Sequence, residues 1–340
     1  MFTSEQELED RLTTPSPALV ADLAPGAGDL VILGAGGKMG PTLAVLARRA
    51  LDAAGRDGDA VHAVSRWSDP AQAERLRAAG VRVVTADLLG DDDLAALPDG
   101  ADVLFMVGAK FGATAAPSWA WAVNAALPDR VARRYRDSRI TAFSTGNVYP
   151  LVPVGSQGAA EDHPVGPVGE YAMSCLGRER VFAHGALTRG TPVSLIRLNY
   201  AVDLRYGVLY DIASTILAGE PVDLTTGHVN VVWQGYANEV TLRAAAHASP
   251  DVFTLNLTGP EVLPVERVAR RLAAGLGRDV AFTGAPAGTA LLNDASRCLD
   301  LFGYPDVTAG TLVDWQAQWL AAGLPTSGKP TKWAVRDGRF

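Results

Sequence analysis

Along the first two hundred residues, short uninterrupted apolar runs alternate with longer stretches whose apolar positions return every three to four residues. The runs at 29–34, 60–65, 81–85, 102–107, 139–145 and 192–197 lack the strict alternation of a half-exposed strand, which predicts strands buried on both faces. The stretches at 38–54, 70–79, 117–135 and 169–189 predict the helices that parallel strands need as crossovers. The pattern is that of an α/β protein with a Rossmann-like, doubly wound parallel sheet. After Asn199 the rhythm loosens, with helices expected near 209–218, 235–248, 264–276 and 308–322 and strands near 221–224, 228–233 and 252–257. These form a smaller C-terminal α/β region, expected to close over a ligand above the carboxyl ends of the sheet. Ahead of the first strand, an amphipathic stretch and a connection ending Ala24-Pro25-Gly26-Ala27-Gly28 predict an extension outside the core. The last residues, GKPTKWAVRDGRF, carry neither period and leave two outcomes open, a mobile tail or a strap folded back on the body.

With 48% hydrophobic and 20% charged residues among 340, the chain is an ordinary globular protein rather than a disordered or repetitive one. A net charge of −7 argues against a nucleic-acid surface, which needs a concentrated positive field. No apolar run reaches the ~20 residues of a membrane-spanning helix. The two cysteines, Cys175 and Cys298, and a charged first segment lacking a secretory signal point to a reducing cytoplasm. His62, His163, His184, His228 and His247 show no metal-ligand spacing, so no metal is expected.

The strongest chemical signal is Val31-Ile32-Leu33-Gly34-Ala35-Gly36-Gly37-Lys38-Met39-Gly40, a glycine-rich turn between a buried strand and a helix. Gly34, Gly37 and Gly40 let the backbone turn tightly and approach a pyrophosphate at the positive helix N-terminus, with Lys38 and Met39 alongside. The second strand ends in Ser65-Arg66, where an NAD site usually offers a carboxylate to the ribose. The absence of an acid and the presence of Arg66 favour a 2′-phosphate and hence NADP, with NAD held without its usual acid as the alternative. Asp87 and Leu88, after the third strand, are candidates for the adenine side, although Asp87 also fits a turn cap. Residues 29–200 are therefore expected to form a dinucleotide-binding domain, flanked by the extension 1–28, a substrate-binding region 201–324 and a tail 325–340.

The fourth strand runs into Val107-Gly108-Ala109-Lys110, small residues where a nicotinamide must enter, followed by a cation. The fifth ends in Phe143-Ser144-Thr145-Gly146-Asn147-Val148-Tyr149, and a later helix opens Tyr171-Ala172-Met173-Ser174-Cys175. Over residues 29–322 these motifs and the glycine spacing resemble the extended short-chain dehydrogenase/reductase family, the NAD-dependent epimerases and dehydratases. The resemblance implies an enzyme that moves hydride between a nicotinamide cofactor, NADP or NAD, and a hydroxyl or keto group of a sugar-like substrate. By the same match Tyr171 exchanges the proton and Thr145 holds the reacting oxygen. The family's lysine, four residues after the tyrosine, is here Cys175. Losing one to two pKa units of phenol acidification costs roughly 1.4 to 2.7 kcal/mol, or about ten- to a hundredfold in phenolate. Lys110, across the site, and Arg178, two helical turns from Tyr171, are candidate replacement charges, Lys110 the nearer in expectation. Cys175 itself suits a buried small residue beside the cofactor better than a nucleophile. On the substrate side the candidates are Lys110, Asn147, Asn199 and Trp233, with Trp233 suited either to stacking on a sugar or to filling core. The resemblance also implies a homodimer packed through the helices near 117–135 and 169–189. The alternative function is a catalytically reduced cofactor-binding sensor or assembly protein.

Overall fold

The computed structural model describes residues 2–328 and 331–340; Met1, within the expected extension, and Lys329 and Pro330, within the expected tail, lie outside the described residues. Seven parallel strands form the central sheet: β1 (Leu30–Leu33), β2 (Val61–Ser65), β3 (Arg82–Thr85), β4 (Asp102–Phe105), β5 (Arg139–Thr145), β6 (Val193–Leu198) and β7 (Phe253–Leu257), in the order β7-β6-β5-β4-β1-β2-β3. Every residue of β1 and β4 is buried. Their side chains divide between two cores, Leu30, Ile32 and Leu104 on one face and Val31, Leu33, Val103 and Phe105 on the other. That division across one pleated ribbon is why these strands read as continuous apolar runs.

Register aligns the carboxyl ends on which the site is built: Leu33 lies between Val64 and Phe105, and Thr145 beside Leu198. The helix Gly40–Ala53 covers one face, while Leu127–Arg134 and Gly169–Arg189 cover the other, where Phe182 packs edge-on to Phe105 at 5.4 Å.

Three features differ from expectation. The strand near 252–257 is not part of the smaller region but is the seventh strand of the main sheet, paired along its length with β6. The extension does not stay outside the core: helices Glu5–Thr13 and Pro17–Leu23, capped by Ser4 and Ser16, bury Leu8, Leu12 and Leu19 in the main core cluster. The expected helix 117–135 is interrupted by a π-helical turn, Ala122–Ala126, which carries Asn124 inward. Of the two outcomes for the tail, residues 331–340 take the second, folded back across the body with Trp333 and Phe340 buried. No helix among the described residues is long and apolar enough to cross a membrane.

Candidate active site

The glycine loop follows β1 into the helix Gly40–Ala53. Gly34 has φ +87°, and a Cβ there would press within 2.9 Å of the Val107 backbone. Gly40 closes on Ala35, whose carbonyl would lie 2.2 Å from a Cβ. Gly37 differs: its Cβ would meet only the Gly34 carbonyl, at 3.5 Å, so its outer side is open. No side chain caps the helix, whose N-cap is Met39. An open glycine backbone facing uncapped amides is a cradle that fits a pyrophosphate. Lys38 leaves the loop with its ammonium 4.6 Å from the Tyr206 ring centre.

Ser65 lies against this loop, 2.5 Å from where a Gly36 Cβ would stand. The next residue, Arg66, is exposed and has no hydrogen-bond or ion-pair partner among the described residues. Trp67 fixes that turn: it is buried at φ +47° and its indole N–H donates to the Val84 carbonyl at 2.9 Å. Asp87 caps a turn, accepting from the Leu89 amide at 3.1 Å. Leu88 packs into the core, which removes its side chain as a ligand contact.

At the other end of the edge, Asn124 organises the strand end. Its amide accepts from Ala109 N at 2.8 Å and donates to Ala109 O at 2.9 Å and to Ser174 Oγ at 2.9 Å. Gly108 remains exposed beside it, next to the partly buried Val107. Beneath Gly108 lies the Arg178 guanidinium, which donates to Asn124 Oδ1 at 2.8 Å and to Phe143 O at 2.7 Å.

Tyr171, in the first turn of helix Gly169–Arg189, directs its hydroxyl toward Thr145 and Cys175. Thr145 Oγ1 also accepts from Asn147 N at 3.2 Å and Asn147 Nδ2 at 3.0 Å, so Asn147 orients the threonine. Burial pushes the Tyr171 phenol well above its usual value, opposed by the charge of Arg178 and by the nearby Thr145 hydroxyl. Arg178 also acts on Cys175, whose thiol burial likewise pushes up. A buried neutral thiol donates weakly and carries no field. Arg178, the candidate two helical turns along, is thus a cation that acts on the phenol.

Lys110 stands on the opposite wall with its ammonium 5.8 Å from the Tyr171 ring centre and 4.4 Å from that of Phe340. It donates to Thr331 O at 3.1 Å. Burial, then repulsion from Lys38, bring its pKa from 10.5 down to about 8.

Two of the four substrate-side candidates face elsewhere. Trp233 is 1% exposed and packs edge-on to Trp315, so it fills core and cannot stack on a sugar, a correction to one of its two expected uses. Asn199 is 2% exposed beneath the turn at Gly146, its amide directed to Leu291 O at 3.4 Å, a supporting role rather than an open contact. Arg197 is structural: it grips buried Glu179 through two nitrogens, at 3.0 and 2.8 Å, and donates to the Tyr149 hydroxyl at 2.6 Å. Glu179 in turn accepts from Ser144, which ties the end of β5 to the tyrosine helix. A larger cavity of about 210 Å³, lined by Leu30, Leu104 and Arg139, opens at the amino ends of the strands, away from this chemistry.

No protein-family model matches the sequence, and no curated protein does. Solved structures do match. A UDP-glucose 4-epimerase from Thermotoga maritima, with UDP-glucose, is 14% identical over 86% of this chain and 98% of its own, with a TM-score of 0.69. A UDP-glucuronic acid 4-epimerase from Bacillus cereus, in complex with NAD and a fluorinated sugar nucleotide, is 15% identical over 86% and 98%, with a TM-score of 0.71. A dTDP-glucose 4,6-dehydratase from Streptomyces venezuelae, with NAD bound, is 19% identical over 86% and 96%, also at 0.71. At these identities the likeness shows the fold: the chain has the Rossmann-like architecture of NAD-dependent sugar epimerases and dehydratases.

Proposed function

We propose that this chain is a nicotinamide-dependent oxidoreductase or epimerase of the extended short-chain type, acting on a hydroxyl or keto group of a carbohydrate. The observation that carries the proposal is the Tyr171 phenol held against the Thr145 hydroxyl on the carboxyl edge that also bears the open glycine cradle. Gly34, Gly37 and Gly40 with the amides after Lys38 would hold the pyrophosphate, and Ser65 and the exposed Arg66 the ribose phosphate of NADP. When bound, the nicotinamide supplies hydride chemistry. Thr145 orients the substrate oxygen, and Asn147, by donating to Thr145, leaves the threonine hydroxyl proton for that oxygen. Tyr171 transfers the proton to or from the same oxygen. Its raised pKa keeps the phenol protonated at rest, which suits donation to a ketone oxygen; the reverse direction relies on Arg178 and Lys110 to stabilise phenolate.

The homodimer follows from the same reading and gains support from the surface. Trp119 and Trp121 on one helix and Met173 and Leu187 on its neighbour are all exposed, Leu187 at 82%, an apolar set unusual on a solvated face.

The test is a titration of NADPH and NADH followed by nicotinamide absorbance with a panel of sugars and keto-sugars. Tyr171→Phe is expected to reduce turnover by ~10² to 10⁴-fold while leaving cofactor affinity unchanged. Tight cofactor binding with no turnover on any member of the panel would favour the sensor alternative, to which Cys175 in place of a lysine already lends weight.

A further inference from the structure

Residues 331–340 run along the crevice between the sheet edge and the smaller region and are held from both sides. Thr331 donates through N, at 2.9 Å, and through Oγ1 to the Asp211 carboxylate. Trp333 is 8% exposed within the main core, and its carbonyl accepts from the Tyr200 hydroxyl at 3.1 Å. Tyr200 holds φ +47° there, a conformation costly for a bulky residue. The Ala334 carbonyl accepts from Thr226 at 3.0 Å, and Arg336 donates to Thr289 O and Oγ1, both at 2.8 Å. Gly338 and Gly169 then meet backbone to backbone, at φ +73° and +82°: a Cβ on Gly338 would lie 2.2 Å from Val168 O, and one on Gly169 2.4 Å from Gly338 O. Phe340, 6% exposed, ends against the Tyr171 ring at 5.4 Å between centres.

Beside the Phe340 ring lies a cavity of about 30 Å³ lined by Asn147, Tyr149, Val168, Leu291, Arg336 and Phe340. That is about the volume of one water, whereas sites for ligands of nucleotide size run to several hundred Å³. The two halves of the segment differ in what opening them requires. Moving the Phe340 ring vacates the space against Tyr171 and Lys110 and breaks no side-chain hydrogen bond. Opening the stretch 331–336 requires withdrawing a buried indole and breaking the bonds to Asp211, Tyr200, Thr226 and Thr289. A small carbohydrate reacting at Tyr171 needs only the first movement. A nucleotide diphosphate attached to that sugar extends outward along the crevice and needs the second.

Charge specifies the small ligand further. An ammonium has three donors, yet Lys110 has one hydrogen-bond acceptor among the described residues, the neutral Thr331 carbonyl. A carboxylate entering where the Phe340 ring lies would meet the unmatched donors.

We propose that residues 331–340 determine specificity, walling the site against nucleotide-linked sugars, and that the substrate is a small sugar acid whose carboxylate binds Lys110 after displacing Phe340. This rests on the carbohydrate reading of the Tyr171 site. The test is equilibrium binding, measured by calorimetry on the cofactor-saturated full chain, of free glucuronate and of UDP-glucuronate. The wild type should bind the free acid and exclude the nucleotide form, and Trp333→Ala/Phe340→Ala should gain UDP-glucuronate affinity by on the order of tenfold or more. Circular dichroism establishes that the double variant is folded, and Phe340→Ala alone serves if it is not, with a tighter free acid expected. Wild-type binding of UDP-glucuronate as tight as that of glucuronate, or of neither, would overturn the proposal. Selective binding of the free acid without turnover would leave it standing and defeat the enzymatic reading instead.

Discussion

Lys110→Met removes an ammonium from an aromatic enclosure and leaves a side chain of similar length, so its consequences separate cleanly into stability and activity. Burial is the main reason that the Lys110 pKa falls from 10.5 to about 8. Below pH 8 the lysine is protonated in both folded and unfolded chains, and folding bears the full cost of enclosing the charge. Between pH 8 and 10.5 the unfolded chain holds a proton that the folded protein has released, so stability rises with pH; above 10.5 both are neutral and the cost is gone. At about 1.4 kcal/mol per tenfold, the interval corresponds to about 3 kcal/mol. The methionine variant should therefore exceed the wild type in stability at pH 7 by up to about 3 kcal/mol, and the difference should shrink steadily between pH 8 and 10.5. Urea unfolding followed by tryptophan fluorescence, run on both proteins across that range, measures it, and tyrosine ionisation cancels in the comparison. Turnover should fall by about ten- to a hundredfold, the worth of one to two pKa units at the phenol. A stability difference that stays level or widens with rising pH would refute the placement of the ammonium in a desolvated site, and unchanged turnover would refute its part in the chemistry.

Arg66→Ala should weaken NADPH, and leave NADH unaffected, by the value of one charge-assisted phosphate contact, about 1.5 to 3 kcal/mol or roughly ten- to a hundredfold, in a fluorescence titration. Equal loss for the two cofactors would remove the 2′-phosphate assignment. Cys175, 1% exposed and with its thiol pKa pushed up by burial, should resist a colorimetric thiol reagent at pH 8 until the protein unfolds; rapid labelling of the native protein would contradict the packing around Tyr171. Leu187→Glu should convert a dimer to a monomer in sedimentation equilibrium without altering the far-ultraviolet circular dichroism, and a wild type that sediments as a monomer would dispose of the dimer.

The six strands up to Leu198 and the four principal helices were legible because each is a local pattern, a buried run or a helical period, that needs no partner to be recognised. The glycine loop was legible for the same reason, since strand, turn and helix follow one another within ten residues. Lys110 could be placed on the sheet edge because a strand end fixes where the next residue stands. Helical spacing places Arg178 two turns from Tyr171, but distance along the helix axis says nothing of a long side chain that reaches back beneath Gly108 to bond Asn124 and Phe143. Asn124 is aimed by a π-helical turn that has no signature in the composition of Ala122–Ala126. Trp233 carried two uses, with core filling the favoured one, and its burial against Trp315 decides for the core. The course of residues 331–340 was the least legible, because its anchors Asp211, Thr226, Thr289 and Gly169 lie 47 to 169 positions from the residues they hold, and none alters the local pattern.

The seventh strand bears on how this protein comes to be folded. Until Phe253–Leu257 arrives, β6 presents Val193–Leu198 as an open edge, with apolar side chains and unpaired backbone groups ready to pair with another chain. A fragment cut after residue 200 would carry the glycine loop, Thr145 and Tyr171, yet leave that edge bare. Closure across more than fifty intervening residues is a slow, non-local event, so the growing chain passes through an interval in which the catalytic half exists and its border strand does not. Aggregation during synthesis should therefore be governed by how quickly residue 257 follows residue 198, and a chaperone that occupies sheet edges would act in that interval.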